Sequence, residues 1–132
     1  MKINRFEDLP IWELSLKLTK EIYDITSKRE FSKDFGLRDQ IRRAIISVSS
    51  NIVEGFEKNN NNEFIRFLKI SKGSIGEVRN HLHIALAVKY IDQSEFDNLS
   101  EKTQALSKQI GGFIVYLETK RANKQFIKKI IR

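Results

Sequence analysis

The sequence predicts an all-α protein, an antiparallel up-and-down four-helix bundle. Apolar residues recur at helical spacing through almost the whole chain, and no segment has the alternating period of a strand. One proline and six glycines leave few helix breakers in 132 residues. Short connections favour antiparallel neighbours, and this length suits one domain with a real core. We expect the bundle to occupy residues 1–119 and a basic C-terminal extension to occupy 120–132.

The first two helices are delimited by a proline and by a glycine-containing connection. The first is predicted from about Asp8 to Ser27, with Asp8 as its cap. Pro10 would lie in the first turn, where its missing N–H costs nothing. The second helix is predicted to begin within 32–36 and to end near Phe56.

Two capping-box signals mark the starts of the later helices. Asn60 and Glu63 have this spacing at the end of the asparagine-rich run 59–62, so a third helix should begin there. We expect it to reach about Lys89. A second box, at 92–95, predicts the start of a fourth helix that reaches at least Leu117.

Each predicted helix carries an apolar stripe for the core. The stripes comprise Ile11, Leu14, Leu18, Ile22 and Ile25; Leu37, Ile41, Ala44, Ile45, Val48, Ile52 and Phe56; Phe64, Phe67, Leu68, Ile75, Val78, Leu82, Ala85 and Leu86; and Phe96, Leu99, Leu106, Ile110, Phe113, Ile114 and Leu117.

Four glycines fall inside predicted helices and need an explanation. Gly73 and Gly76 lie in the third helix, and Gly111 and Gly112 lie in the fourth. Each costs about 1 kcal/mol relative to alanine. We expect close approach of neighbouring backbones at these positions, and a functional kink is the alternative.

Two helices carry more apolar residues than one stripe requires. Trp12, Leu16 and Tyr23 form a second set on the first helix, and Ile46 and Val53 form one on the second. Neighbouring helices of the same chain could cover them. Amphipathic aromatic side chains are enriched at interfaces, however, so we favour association between subunits.

A polar line follows the second helix at Arg43, Ser47, Asn51 and Glu54. A solvated face would explain this line on composition alone. Asparagine is a poor interior helix residue unless it finds a partner, so Asn51 favours the alternative, a buried or interfacial network that fixes helix register.

Several motifs follow one another from Phe6 to Leu117. They are Phe6-x-x-Leu9-x-x-Trp12, Gly36-Leu37-x-x-Gln40-Ile41-Arg42-Arg43-Ala44, Ser47-x-x-x-Asn51-Ile52-x-Glu54-Gly55, Glu63-Phe64-x-x-Phe67-Leu68 and Gly73-Ser74-x-x-Glu77. In this order and spacing the chain resembles the four-helix-bundle proteins encoded in intervening sequences of bacterial 23S ribosomal RNA genes. Val53 departs from that pattern, which usually has alanine there, and the lysine-rich extension lies outside it.

The resemblance implies a left-handed bundle that assembles as a ring, most often a homopentamer. It also implies kinship with the accessory proteins of diversity-generating retroelements, which are similar bundles that bind nucleic acid beside a reverse transcriptase. No catalytic activity is established for the family. Its signature residues transfer here as a packing and assembly set, to which we add Trp12 and Tyr23: Gln40, Arg42, Arg43, Asn51, Glu54 and Gly55.

Positive charge is concentrated at the C-terminus. The net charge is +7, and six of these charges come from the acid-free tail, Lys120, Arg121, Lys124, Lys128, Lys129 and Arg132. Candidate contacts to RNA or DNA in the body are Arg38, Lys58, Arg66, Lys69 and Lys72. The tail also contains the apolar residues Phe126, Ile127, Ile130 and Ile131. It therefore suits solvation or disorder, nucleic-acid contact, or docking on a membrane or protein.

The sequence offers no pattern for catalysis or metal binding. The chain has no cysteine, and its two histidines, His81 and His83, do not follow a glutamate by three residues as bundle di-metal sites require. We interpret them as surface or locally bonded residues. No serine elbow or phosphate loop is present. We therefore expect neither an enzyme nor a cofactor, metal or small-molecule substrate.

The N-terminus lacks the apolar core of a signal peptide, and no apolar run approaches the roughly 20 residues of a membrane span. A cytoplasmic location is expected and a membrane partner is disfavoured. Two functions remain open. One is an oligomeric, non-catalytic accessory protein that binds RNA or DNA, and the other is a scaffold that binds a protein partner without nucleic acid.

Overall fold

The computed structural model describes residues 3–122, and within them every regular element is helical. A single 3-10 turn precedes five α-helices: Phe6–Asp8, then α1 (Pro10–Thr26), α2 (Arg29–Lys33), α3 (Phe35–Glu57), α4 (Asn61–Ala87) and α5 (Gln93–Ala122). The all-α prediction is confirmed. The four long helices correspond to the predicted ones, whereas the short α2 was not predicted. Residues 123–132 of the predicted extension lie outside the described part.

The prediction that Asp8 caps the first helix is wrong. The residue that precedes α1 is Leu9, which is fully buried and gives no side-chain cap. Pro10 occupies the first helical position and restricts the residue before it to extended backbone. Asp8 belongs instead to the 3-10 turn, where its carboxylate lies 3.5 Å from the Arg5 guanidinium.

A short helix and an aspartate connect α1 to α3. Phe31, in α2, is fully buried and joins the main core. Asp34 then caps α3, because its carboxylate accepts a hydrogen bond of 3.0 Å from the backbone N–H of Leu37. The helix begins at Phe35, inside the predicted window.

Both predicted capping boxes start a helix. The Asn60 side chain accepts from the Glu63 N–H at 3.0 Å, although the Glu63 carboxylate turns to Arg66 rather than completing the box. At α5 the box is reciprocal. Asp92 accepts from the Glu95 N–H at 2.8 Å, and Glu95 accepts from the Asp92 N–H at 3.0 Å.

The predicted stripes form one core cluster except for Phe67, which is buried outside it. Four predicted members are only partly buried, namely Leu14, Leu37, Leu86 and Phe113. Helix α1 packs on α3 and α5, and α4 packs on the same two helices. Contacts across α3 and α4 run in opposite chain order. Ser71 of α4 lies against Val48, whereas Phe67, four residues earlier in α4, lies against Gly55, seven residues later in α3.

The glycines do not behave as expected. A Cβ atom added at Gly73, Gly76 or Gly112 would meet nothing within 4 Å, and at Gly111 it would touch only the flexible Lys72 side chain at 3.3 Å. The prediction of close backbone approach at these four positions is therefore wrong.

The close approach occurs at Gly55 instead. A Cβ atom there would lie 2.7 Å from the Phe67 Cβ and 3.0 Å from the Phe64 ring. Gly55 thus lets α3 and α4 approach closely near the connection between them.

The seam between α1 and α5 is less tightly filled. It contains one cavity of about 200 Å³, lined by Leu14, Leu18 and Leu106 among others. A second, of about 260 Å³, lies between Pro10 and Tyr116. An ion pair bridges this seam between α1 and α5, with the Lys102 ammonium 2.8 and 2.9 Å from the two carboxylate oxygens of Glu21.

Candidate assembly surface and cationic end

One end of the groove between α1 and α3 is apolar and open. Trp12 is half-buried and packs edge-to-face on Phe6, with ring centroids 5.3 Å apart. These two residues line a groove of about 480 Å³ together with Ser49, Val53 and other α3 side chains. The sets predicted separately on the first and second helices therefore meet at Trp12 and Val53.

Tyr23, near the end of α1, and Arg42, near the start of α3, also contact each other, with the guanidinium 4.4 Å from the tyrosine ring centroid. Leu16 follows Trp12 by four residues, and Ile46 follows Arg42 by four, so each lies on the same side of its helix as the residue it follows. Leu16, Ile46 and Tyr23 are 50%, 42% and 37% exposed. We call Trp12, Leu16, Tyr23, Ile46 and Val53 the α1–α3 surface.

Arg42 links α3 to the end of α1. Its Nε donates to the Thr26 hydroxyl at 2.8 Å, and its terminal nitrogen donates to the Ser27 hydroxyl at 3.0 Å. Thr26 in turn donates to the Ile22 carbonyl at 2.7 Å. These bonds lie within one chain, so Arg42 positions the two helices that form the α1–α3 surface.

A polar network joins α3 to α4. Asn51 donates to the carbonyl and hydroxyl oxygens of Ser47, at 2.8 and 3.0 Å, and the Ser74 hydroxyl lies 3.0 Å from that of Ser47. Nearby, the fully buried Ser71 donates to the Val48 carbonyl at 2.7 Å. Asn51 therefore has the partner that an interior helix asparagine needs.

Sequence reasoning found Ser47 and Asn51 but missed the two α4 serines. Ser71 and Ser74 are three residues apart on the buried side of α4, within its apolar stripe. A serine pair at these positions was the available signal for a hydrogen bond to a neighbouring helix.

The remaining members of the polar line are exposed. Gln40 and Arg43 border an open groove of about 430 Å³ between α3 and α4, and Glu77 borders it from α4. Arg43, Glu54 and Glu77 make no ion pair or hydrogen bond within residues 3–122. The network thus ends at Asn51, and the charged residues on either side of it face solvent.

Six candidate cations have described side chains, and five of them lie in the half of the bundle that contains the α3–α4 connection. Lys58 and Arg66 both approach the Phe67 ring, at 5.8 and 4.4 Å from its centroid. Lys69 and Lys72 lie on the next turns of α4, against α5. Lys120 lies near the end of α5, with its ammonium 5.4 Å from the Tyr116 ring centroid. We call these five residues the cationic end.

Arg66 and Lys69 each lie next to an acidic side chain. Arg66 forms a two-pronged contact with Glu63, at 3.1 and 3.3 Å. These hydrogen bonds lower the pKa of Glu63 and raise the pKa of Arg66. Lys69 lies 3.9 Å from the Glu118 carboxylate. Lys58 and Lys72 have no ion pair among the described side chains.

Arg38 does not join the cationic end. It lies near the start of α3, where its guanidinium bonds Asp39 at 2.9 Å and the Ser32 carbonyl at 3.1 Å. Arg121 lies in α5, and the candidate contacts Lys124, Lys128, Lys129 and Arg132 lie outside the described residues.

The two histidines differ in environment. His81 is buried, and its Nδ1 atom has no hydrogen-bond partner among residues 3–122, so interpreting it as a surface or locally bonded residue was wrong. The cause is its position on the α3-facing side of α4, four residues before the buried Ala85. His83 is exposed and packs on Phe96, with ring centroids 4.8 Å apart.

Across residues 3–122, no three histidine or acidic side chains lie close enough to share a metal ion. None of the helices in this range combines the length and the apolar composition that a bilayer crossing needs.

Comparison with solved structures supports the fold. The chain is similar to a protein of unknown function from the S23 ribosomal protein family of Bacteroides thetaiotaomicron, with a TM-score of 0.72 and 21% sequence identity. The match covers 79% of this chain and 97% of that one. No curated protein matches the chain.

The family comparison covers most of the sequence. Residues 7–112 match the model of the 23S rRNA-intervening sequence proteins, a span that includes the α1–α3 surface and the α3–α4 network. The chain therefore belongs to the 23S rRNA-intervening sequence protein family.

Proposed function

We propose that this protein is a non-catalytic, cytoplasmic subunit of a homo-oligomer. Its long helices form an antiparallel, left-handed up-and-down bundle, and copies of the bundle assemble into a ring of five. The opposite order of contacts along α3 and α4 supports the antiparallel arrangement.

The α1–α3 surface carries the proposal for assembly. Leu16, Tyr23 and Ile46 expose large parts of their apolar side chains next to Trp12 and Val53. Single exposed apolar residues are normal, whereas a continuous apolar surface marks an interaction site. Trp and Tyr are also the side chains that most often anchor protein interfaces.

Introducing a charge into the α1–α3 surface tests assembly directly. Leu16→Glu places a carboxylate in the middle of the α1–α3 surface and should prevent assembly. Light scattering should therefore give the mass of an oligomer for wild type and that of the 15.5 kDa chain for the variant. Val115→Glu is the matched control, because Val115 is 60% exposed on α5, outside the surface. A monomeric wild-type protein would overturn the proposal.

The cationic end favours a second function for the assembled ring, contact with RNA or DNA. A ring repeats Lys58 and Lys72 once in every copy, and clustered cations bind phosphate by releasing counterions. The acid-free sequence 120–132 follows directly from the same end of α5.

Gel shifts at several salt concentrations test this second function. Lys58, Lys69 and Lys72 changed together to alanine should weaken RNA or DNA binding about 10-fold or more and reduce its salt dependence. Lys28, Lys33 and Lys108 changed together are the control, since they remove the same charge elsewhere. If wild-type protein binds neither RNA nor DNA at low salt, and deletion of 120–132 changes nothing, the alternative of a scaffold for a protein partner is favoured.

A further inference from the structure

We propose that the groove between α3 and α4 binds an unpaired guanine base of single-stranded RNA or DNA. This inference rests on the proposed contact with nucleic acid and names the base that the protein reads. The groove has a volume of about 430 Å³ and is lined by Gln40, Arg43, Ala44, Ser47 and Glu77. We call it the α3–α4 groove.

Most polar side chains at the α3–α4 groove have no partner in the chain. Gln40, Arg43 and Glu77 are exposed and make no hydrogen bond or ion pair within residues 3–122. His81 follows Glu77 by about one helical turn, and its buried Nδ1 atom has no partner in the same range. Polar groups without partners therefore gather on both helices that form the groove, which marks a place where a polar ligand is missing.

Arg43 and Glu77 offer complementary hydrogen-bonding groups from the two helices. An arginine guanidinium donates two parallel bonds, and guanine accepts such a pair at its O6 and N7 atoms. An ionised carboxylate accepts through both oxygens, and the N1–H and N2–H groups of guanine lie side by side as donors. No other base presents two adjacent donors on this edge, so an arginine and a glutamate across one groove favour guanine.

The charges of Arg43 and Glu77 remain separate in the free chain, although both border the same groove. An exposed ion pair between them would contribute little to stability, because water screens it. A base placed between the two side chains therefore forfeits little. It gives the guanidinium two acceptors and the carboxylate two donors.

The α3–α4 groove is aligned with part of the cationic end. Arg66 precedes Glu77 by eleven residues, close to three helical turns, so both lie on the same side of α4, about 16 Å apart along its axis. Proteins that read single strands hold the phosphates and bind bases that have turned out of the stack. A strand held by its phosphates at the cationic end can therefore place a nearby base in the groove.

Labelled uridine oligonucleotides test the site. One contains a single central guanosine and the other a single central adenosine, so their charge and length are matched. Fluorescence anisotropy should show about 10-fold tighter binding of the guanosine oligonucleotide by wild type. Inosine, which lacks the N2 amino group, and 7-deazaguanosine, which lacks N7, should each lose most of this preference. The DNA counterparts should show the same ratios, because both contacts go to the base.

Variants assign the two contacts. Glu77→Gln should no longer distinguish guanosine from inosine, and Arg43→Ala should no longer distinguish guanosine from 7-deazaguanosine. Glu54→Gln and Arg79→Ala remove the same charges outside the groove and should keep the wild-type ratios. Ratios of affinities are compared, since a change of charge alters the binding of every oligonucleotide alike.

The inference is wrong if wild type binds the guanosine and adenosine oligonucleotides equally, or if Arg43→Ala and Glu77→Gln keep the preference. In both cases the proposed contact with nucleic acid still stands. The inference also fails if Arg43→Ala lowers the mass of the oligomer by light scattering, because the groove would then be a contact between copies. If wild type binds no oligonucleotide at low salt, the proposed contact with nucleic acid fails as well.

Discussion

The hydroxyl of Tyr90 donates a 2.9 Å hydrogen bond to the carboxylate of Asp34, which also caps α3. The Tyr90 ring packs on the buried Phe31 at a centroid distance of 5.4 Å. One aspartate therefore joins the start of α3, the short α2 and the connection between α4 and α5.

This contact makes stability sensitive to both acid and alkali. Hydrogen bonds from the Leu37 N–H and then from Tyr90 lower the pKa of Asp34, and the bond to Asp34 raises the pKa of Tyr90. The Asp34 contribution is full above about pH 4 and is lost as the pH falls through the lowered folded-state value. The Tyr90 contribution is full below about pH 10 and is lost as the pH rises through the raised folded-state value.

Urea unfolding at pH 3, 7 and 10.5 would measure both effects. Asp34→Asn keeps a capping side chain but should reduce the acid-dependent loss of stability, because the Glu63 contribution remains. Tyr90→Phe should remove the alkaline loss and reduce the acid one. Tyr116→Phe is the control, because its hydroxyl makes no hydrogen bond within the described residues. The prediction would be contradicted if the free energy of unfolding changed with pH in the same way for Tyr90→Phe and wild type.

Gly55→Ala should destabilise the protein by about 1–3 kcal/mol, because the added methyl group overpacks the contact with Phe67 and Phe64. Gly112→Ala should instead stabilise it by up to about 1 kcal/mol, since the position is open and alanine favours helix. Urea midpoints of the two variants should therefore move in opposite directions. A neutral Gly55→Ala would show that α3 and α4 can separate without cost.

The adjacent arginines 42 and 43 should differ in their effect on stability. Arg42→Ala removes the bonds to Thr26 and Ser27 and should lower the free energy of unfolding by about 1–2 kcal/mol. Arg43→Ala removes no bond within the described chain and should change it by less than about 0.5 kcal/mol. The comparison is made by urea unfolding of a variant that does not assemble, such as Leu16→Glu. Equal decreases in the free energy of unfolding for Arg42→Ala and Arg43→Ala would contradict the conclusion that Arg42 holds α3 against α1.

A double-mutant cycle should detect coupling across the polar network. Ser47→Ala and Ser74→Ala each break the contact between their hydroxyls, so the two changes together should cost less than their sum by about 0.5–1 kcal/mol. Ser47→Ala paired with the exposed Ser94→Ala provides a non-interacting reference. Strict additivity of Ser47 and Ser74 would mean that the hydroxyl contact adds nothing to stability.

The sequence predicts the long helices and their core because helical periodicity is local information. The caps at Asn60 and Asp92 are likewise set by residues three apart, and both predictions are confirmed. Phe31 lies in too short a segment to show a period, so α2 was missed. Helix α1 begins at Pro10 because Leu9, the residue before it, is buried in the core. The capping preference of Asp8 gives no information about that burial.

The candidate surfaces were only partly predictable. Periodicity placed Trp12 and Val53 outside the main stripes, but only the fold shows that α1 and α3 bring them to one groove. The glycine error has a similar cause. A helix shows where a glycine lies but not which neighbour it faces, and only Gly55 lies at a contact with bulky side chains of another helix.

The cavities along the α1–α5 seam indicate where the molecule opens first. Helix α1 packs on α5 far less extensively than α4 packs on α3, so its amides should exchange with deuterium at a lower opening free energy than those of α3 and α4. The same helix projects Trp12, Leu16 and Tyr23. Covering these residues with another copy would slow the opening, so exchange in α1 should become slower as protein concentration rises.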